Sequence, residues 1–223
     1  IKNGINFTKS DINYDLYQLA LETTAERLFP NFSFIDSSFN YQYYDGTHES
    51  EVAYMGCRTR VMGNRHGKEN SVGRGNLSFT SINLVKLALQ SNSIVQFYDK
   101  LDKMCDIAIR QLIDRYKYQA QKKASQFLFL YTQGVWIDSE NIKEDQLVGE
   151  LLKQGTLSIG FIGLAECVKA LTGSHHGENE DSYKLAYEIV SFMRKKADKA
   201  ADEFDMNFSL IATPAEGLSG KFV

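Results

Sequence analysis

An α/β fold is predicted by three features of this 223-residue sequence. Short apolar runs rich in β-branched and aromatic residues recur along it. Between them lie longer stretches with an apolar residue at every third or fourth position. The two kinds of segment take turns from start to finish, which argues layered α/β architecture rather than separate all-α and all-β blocks. The hydrophobic fraction of 43% and the charged fraction of 24% are those of an ordinary globular protein. At this length a compact domain buries roughly 70% of its unfolded surface, enough for a real core.

The elements follow in order. Asp15 to Leu28 carries Tyr17, Leu21, Ala25 and Leu28 at helical spacing, and Pro30 stops it. NFSFIDSSFN, Asn31 to Asn40, begins with the alternation of a strand. Tyr41 to Asn76 is polar and glycine-punctuated with no sustained period, and a loop that long is usually functional. LSFTSINL reads as a buried strand running into a helix near Val85. Ser93 to Gln121 is predicted as a long helix whose stripe is Ile94, Tyr98, Leu101, Cys105, Ala108, Leu112 and Tyr116. FLFLYTQGVW, Phe127 to Trp136, suits a buried strand, and Asn141 to Gln154 a polar-faced helix closed by Gly155. TLSIGF is a short strand leading into the helix GLAECVKAL. Glu180 to Phe204 reads as a charged amphipathic helix, and NFSLIAT as a final strand.

A net charge of -3 gives no electrostatic reason for direct nucleic-acid or membrane binding. No apolar run approaches the roughly 18 residues of a membrane span, and no signal peptide opens the chain. Cys57, Cys105 and Cys167 are odd in number and far apart, which suits a reducing, cytoplasmic setting better than a disulfide framework. Both ends read as cut, since the chain opens on Ile1 and closes inside a strand-loop motif.

Cys105 and Cys167 belong to helical stripes and read as small core residues. Cys57 does not. It stands between Gly56 and Arg58 at the head of the polar loop, a setting that suits a reactive thiol and an inert one equally. The arginines beside it favour a thiolate, but no histidine is spaced to act as its base. GRGNLS, Gly73 to Ser78, is a weak phosphate loop because no helix follows it, and a plain turn into a strand is favoured. TPAEGLSG, Thr213 to Gly220, follows an apolar strand and opens toward a helix, so its backbone N–H groups suit either an anion or a plain connection. His175 and His176 are adjacent and do not converge on one metal ion, so they read as a surface loop. Trp136 reads as core.

Taken in this order, MGCRTRV, GRGNLSFTSINL, TLSIGFIGLAE, LTGSHHGE and NFSLIATPAEGLSGKF resemble the anaerobic (class III) ribonucleoside-triphosphate reductases, a family of glycyl-radical enzymes. The resemblance implies that residues 1–223 are part of a ten-stranded α/β barrel with a central finger loop at about 55–76. It places at Cys57 the cysteine that becomes a thiyl radical and takes the 3′ hydrogen of the ribose. It points to Asn76 as the active-site asparagine, with Asn83 a weaker candidate. It carries substrate-phosphate binding to Thr213, Ala215, Glu216, Gly217, Leu218 and Ser219. A ribonucleoside triphosphate is then the substrate and formate the reductant. Nucleotide effectors (ATP, dNTPs), a radical-SAM iron-sulfur activase and a homodimeric partner act with the intact enzyme.

This sequence also departs from the family's pattern. It contains no glycyl-radical segment and no cysteine pairs for the structural zinc. The N-terminal ATP-cone and the half-barrel with a second active-site cysteine are missing as well. The chain by itself is therefore expected to be catalytically silent. A formate acetyltransferase-like enzyme is disfavoured, because that chemistry uses two adjacent cysteines and Cys57 has none beside it. A degenerate nucleotide-binding relative without catalysis stays open.

Overall fold

The computed structural model describes residues 1–27, 29–54 and 59–219. The chain divides into two compact units, Ile1–Val72 and Gly73–Val223.

The first unit holds helix α1 (Tyr14–Arg27), a one-turn helix α2 (Ser38–Tyr41) and a 3₁₀ turn at His48–Ser50. No strand occurs among its described residues. α1 buries none of its own side chains. Its Tyr17 packs against aromatic rings, edge-on to Phe32 at 5.8 Å and tilted to Phe7 at 6.4 Å between ring centroids. Asp11 gathers the Phe7 and Thr8 amides and the Thr8 hydroxyl on its carboxylate, and those Thr8 bonds pull its pKa down. NFSFIDSSFN is a turn and a helical start, not a strand. Ser37 N–H, Ser37 Oγ and Asn40 Nδ2 all donate to Phe34 O, so local turn chemistry outweighs the aromatic alternation.

The second unit is built on strand β1 (Asn76–Asn83), helices α3 (Leu84–Leu89), α4 (Ile94–Ala120), α5 (Leu128–Tyr131) and α6 (Gly149–Leu152), strand β2 (Thr156–Ile162), helices α7 (Leu164–Thr172) and α8 (Glu180–Phe204), strand β3 (Asn207–Ala212) and helix α9 (Glu216–Ser219). The three strands form one parallel sheet in the order β1-β2-β3. Parallel neighbours need crossovers, and α4 and α8 lie in the two connections. Ser93 and Asn179 cap those long helices, accepting from the Gln96 and Ser182 amides at 3.2 and 2.9 Å.

Ile82, Leu157, Ile159 and Phe208 face the helices and join Phe97, Leu101, Cys105, Leu112, Ile189 and Met193 in the main core. The stripe expected on α4 is buried at Leu101, Cys105, Ala108 and Leu112, whereas Ile94 at the first turn is 44% exposed. Lys196 of α8 sits between Asp102 and Asp106 of α4 at 2.7 and 2.6 Å. Burial opposes its charge, but the two carboxylates outweigh that and raise its pKa. Arg115 of α4 donates to Ser78 Oγ, Phe79 O and Thr80 Oγ1, covering β1 with a charge.

Two expected elements differ. FLFLYTQGVW contains α5 and a turn at Gly134, with Leu128 and Phe129 49% and 69% exposed. Trp136 is buried as expected, its Nε1 donating to Leu151 O at 2.9 Å. Asn141 to Gln154 is not one helix. Its middle pairs with 122–125, through Ala124 N–H to Gln146 O and Val148 N–H to Lys122 O, and only Gly149–Leu152 is helical.

Candidate active site

Two rows of short polar side chains cross the sheet on the face away from the helices. In the first, Ser158 Oγ donates to Asn76 Oδ1 at 2.9 Å and shares a 2.8 Å hydrogen bond with Ser209 Oγ. An amide carbonyl only accepts and a hydroxyl has one proton, so Ser209 must be the donor to Ser158. The chain Ser209 to Ser158 to Asn76 pins the carbonyl end of the Asn76 amide and leaves its two N–H donors at the other end. Ser158 is fully buried. Ser158→Ala is therefore expected to cost about 1–3 kcal/mol by orphaning its partners. The check is a lower urea midpoint at an unchanged m value.

The second row lies two residues further along β2, hence on the same face. Ser81 Oγ and Thr213 Oγ1 meet at 2.6 Å across Gly160, and Thr213 N–H donates to Phe161 O at 3.0 Å. Beyond Thr213 the chain turns into α9, with Leu218 N–H on Ala215 O at 2.8 Å. Gly217 has open space where a Cβ would stand, and its φ is not left-handed. TPAEGLS lies at the carboxyl end of a parallel strand, where α/β sheets open their ligand clefts.

Asn83 caps α3, its Oδ1 accepting from Lys86 N–H at 3.0 Å. GRGNLS is a turn into a strand. Gly73 has a φ of 71° and lies against Ile137, whose N–H donates to Gly73 O, and Arg74 Nε donates to Gln154 O. Burial lowers the Arg74 pKa to about 10.

Cys57 lies outside the described residues. In the first unit, Arg60 Nη1 donates to Phe39 O and Asn40 Oδ1 at 2.7 and 2.8 Å. Its guanidinium stacks 3.4 Å from the Phe39 ring centroid, tying the chain three residues past the cysteine to α2. Cys105 and Cys167 are fully buried, and burial pushes both thiols up to about 12. His175 is engaged locally, with Nε2 3.3 Å from Glu178. Among the described residues no group of three His, Cys, Asp or Glu is placed to hold a metal ion. Nor is any helix among them long and apolar enough to cross a membrane.

Sequence reasoning missed Ser81, Ser158, Gly160 and Ser209. Their signal was present, as serine or glycine at alternate positions within otherwise apolar strands (S-I-N, S-I-G, S-L-I).

A parallel α/β sheet with a polar face and a loop at its carboxyl edge defines the general class. The particular family follows from comparison. Residues 1–223 match the model of the anaerobic ribonucleoside-triphosphate reductases, and the chain belongs to that family. It is 33% identical over 226 residues to the anaerobic ribonucleoside-triphosphate reductase of Haemophilus influenzae. It is 33% identical over 228 residues to that of Escherichia coli, and 31% over 231 residues to that of phage T4. All of this chain aligns in each case, with 31%, 31% and 36% of the relative. The chain thus spans about a third of the length of the curated relatives it matches. A crystal structure of the anaerobic ribonucleotide reductase from Thermotoga maritima, with glycerol in the active site, superposes with a TM-score of 0.49 at 15% identity, over 73% of this chain and 25% of that one.

Proposed function

We propose that this chain is the part of a reductase of ribonucleoside triphosphates that carries the hydrogen-abstracting cysteine and one wall of the substrate site. Family membership over residues 1–223 is the observation that carries the reading. Further support comes from the polar rows holding Asn76 and the entrance to TPAEGLS on one face of the sheet.

In this reading Cys57 is the thiol that takes up the radical and removes the 3′ hydrogen of the ribose. The radical originates on a glycine segment outside this chain. Loss of the 2′ hydroxyl as water is followed by reduction, with formate as the source of electrons. Asn76 offers N–H donors to the reacting sugar, its carbonyl fixed by Ser158. Thr213, Ala215, Glu216, Gly217, Leu218 and Ser219 form the triphosphate loop, chiefly through main-chain N–H groups. The sheet is a section of the ten-stranded barrel, completed by the rest of a cytoplasmic homodimer that answers to ATP and dNTP effectors and to an iron-sulfur activase. Alone, the chain is inactive.

Gly217→Val tests the loop. A Cβ here meets nothing within 4 Å, so the variant should fold normally. It should also stand between phosphate and backbone. The expected result in the activated full-length enzyme is a KM for ribonucleoside triphosphate raised about tenfold or more, since several hydrogen bonds are affected. An unchanged KM removes this loop from the site. Ser219→Ala is expected to cost only about 0.5–1.5 kcal/mol of binding.

A further inference from the structure

We infer that Ser81 and Gly160 are positioning residues for the triphosphate loop: they form a clasp that ties Thr213, at the loop's entrance, across the middle strand to β1. The inference rests on the reading of TPAEGLS as the phosphate loop and adds what holds that loop in place.

The geometry is unusual for a parallel sheet. β1 and β3 do not touch, because β2 lies between them. Adjacent strands are about 4.8 Å apart, so their side chains meet only by passing over the middle strand. Ser81 pairs with Gly160, and Gly160 with Ile211, so the hydroxyl bridge from Ser81 to Thr213 runs directly above Gly160. A Cβ on Gly160 would stand 2.6 Å from Ser81 Oγ and nearer still to Thr213 Oγ1, both closer than real Cβ atoms come to any neighbour. Gly160 is not in the left-handed region, so backbone conformation does not explain the glycine. Space for the bridge does.

Thr213 is consequently fixed at two points on two strands, by its N–H on Phe161 of β2 and by its hydroxyl on Ser81 of β1. The next residue, Pro214, has no N–H and adds no ladder bond of its own. The loop leaves the sheet at the Thr213 anchor. The bridge also has chemical use, because two hydroxyls carry two protons and share one hydrogen bond. One proton stays available to a third group, and an anionic oxygen arriving at the loop is the acceptor that suits it. The clasp thus presets the loop for a polyphosphate and contributes to binding of the triphosphate part of the substrate, not to the hydrogen transfer.

The test is steady-state reduction of CTP by the activated full-length enzyme. Ser81→Ala should raise KM by roughly three- to tenfold, the value of one hydrogen bond, with kcat within about twofold of wild type. Gly160→Ala should move KM in the same direction, and Ser81→Thr, which keeps the hydroxyl, should restore it. Should Gly160→Ala fail to fold, Ser81→Ala decides alone. An unchanged KM in Ser81→Ala, or a loss confined to kcat, overturns the clasp. Gly217→Val separates the two readings. If it raises KM while Ser81→Ala does not, only the clasp falls. If neither variant moves KM, the phosphate-loop reading falls with it.

Discussion

Cys57→Ser is expected to abolish ribonucleotide reduction in the activated full-length enzyme while nucleotide binding and the glycyl-radical signal persist. The reason is the strength of the bond each atom forms with hydrogen. A sulfur-centred radical is accessible to a relay that starts on glycine, whereas an oxygen-centred radical at serine lies far higher, so transfer stops before the ribose. The two measurements are turnover and the electron paramagnetic resonance signal on the same sample, and measurable turnover by the serine variant would defeat the assignment. The other two thiols provide the contrast. Cys105 and Cys167 are fully buried in the main core, with pKa values pushed up to about 12. Cys105→Ala and Cys167→Ala should keep activity and cost only packing, up to a few kcal/mol.

Phe97→Ala should produce the largest loss of stability, about 3–5 kcal/mol. Phe97 is fully buried one turn into α4, and its amide closes the helix start on Ser93 O at 3.0 Å. α4 contacts β1, β2, α3, α6 and α8, so a cavity there undercuts most of the second unit at once. Surrounding groups include the backbone of a capped helix and cannot collapse far into the void. Equilibrium urea denaturation measures the effect. A loss below 1 kcal/mol would mean that the core around α4 relaxes freely, against the packing described for it.

How far the sequence determined this picture differs from segment to segment. The helix from Glu180 to Phe204 and the strands from Thr156 and Asn207 were legible, because long amphipathic periods and apolar runs flanked by glycine or asparagine leave few alternatives. FLFLYTQGVW was not, since a short apolar run suits a strand and a helical turn equally. The outcome there is set by the Tyr131 and Trp136 cluster. Asn141 to Gln154 has helical propensity, yet its backbone groups are taken by Lys122 to Ser125, and tertiary pairing overrides propensity. At the candidate site, Asn76 and Thr213 stood out through the motifs around them. The partners that hold them did not, because Ser158 and Ser81 meet them only across strands that the sequence cannot register.

Each row is made of pieces that the chain delivers at very different times. Ser158 is 82 residues from Asn76 and 51 from Ser209, and Ser81 is 132 from Thr213. No hairpin or single helix contains even two members of a row, so neither row can form while the sheet is partly assembled. Pairing β1 with β2 alone gives Asn76 its serine but leaves Thr213 adrift, and β2 with β3 alone joins Ser158 to Ser209 but leaves both Asn76 and Ser81 unplaced. A shift of one residue in either pairing would turn the hydroxyls toward the helices. Both rows are thus completed in a single event, when the third strand docks in register, and misaligned forms of the sheet carry neither.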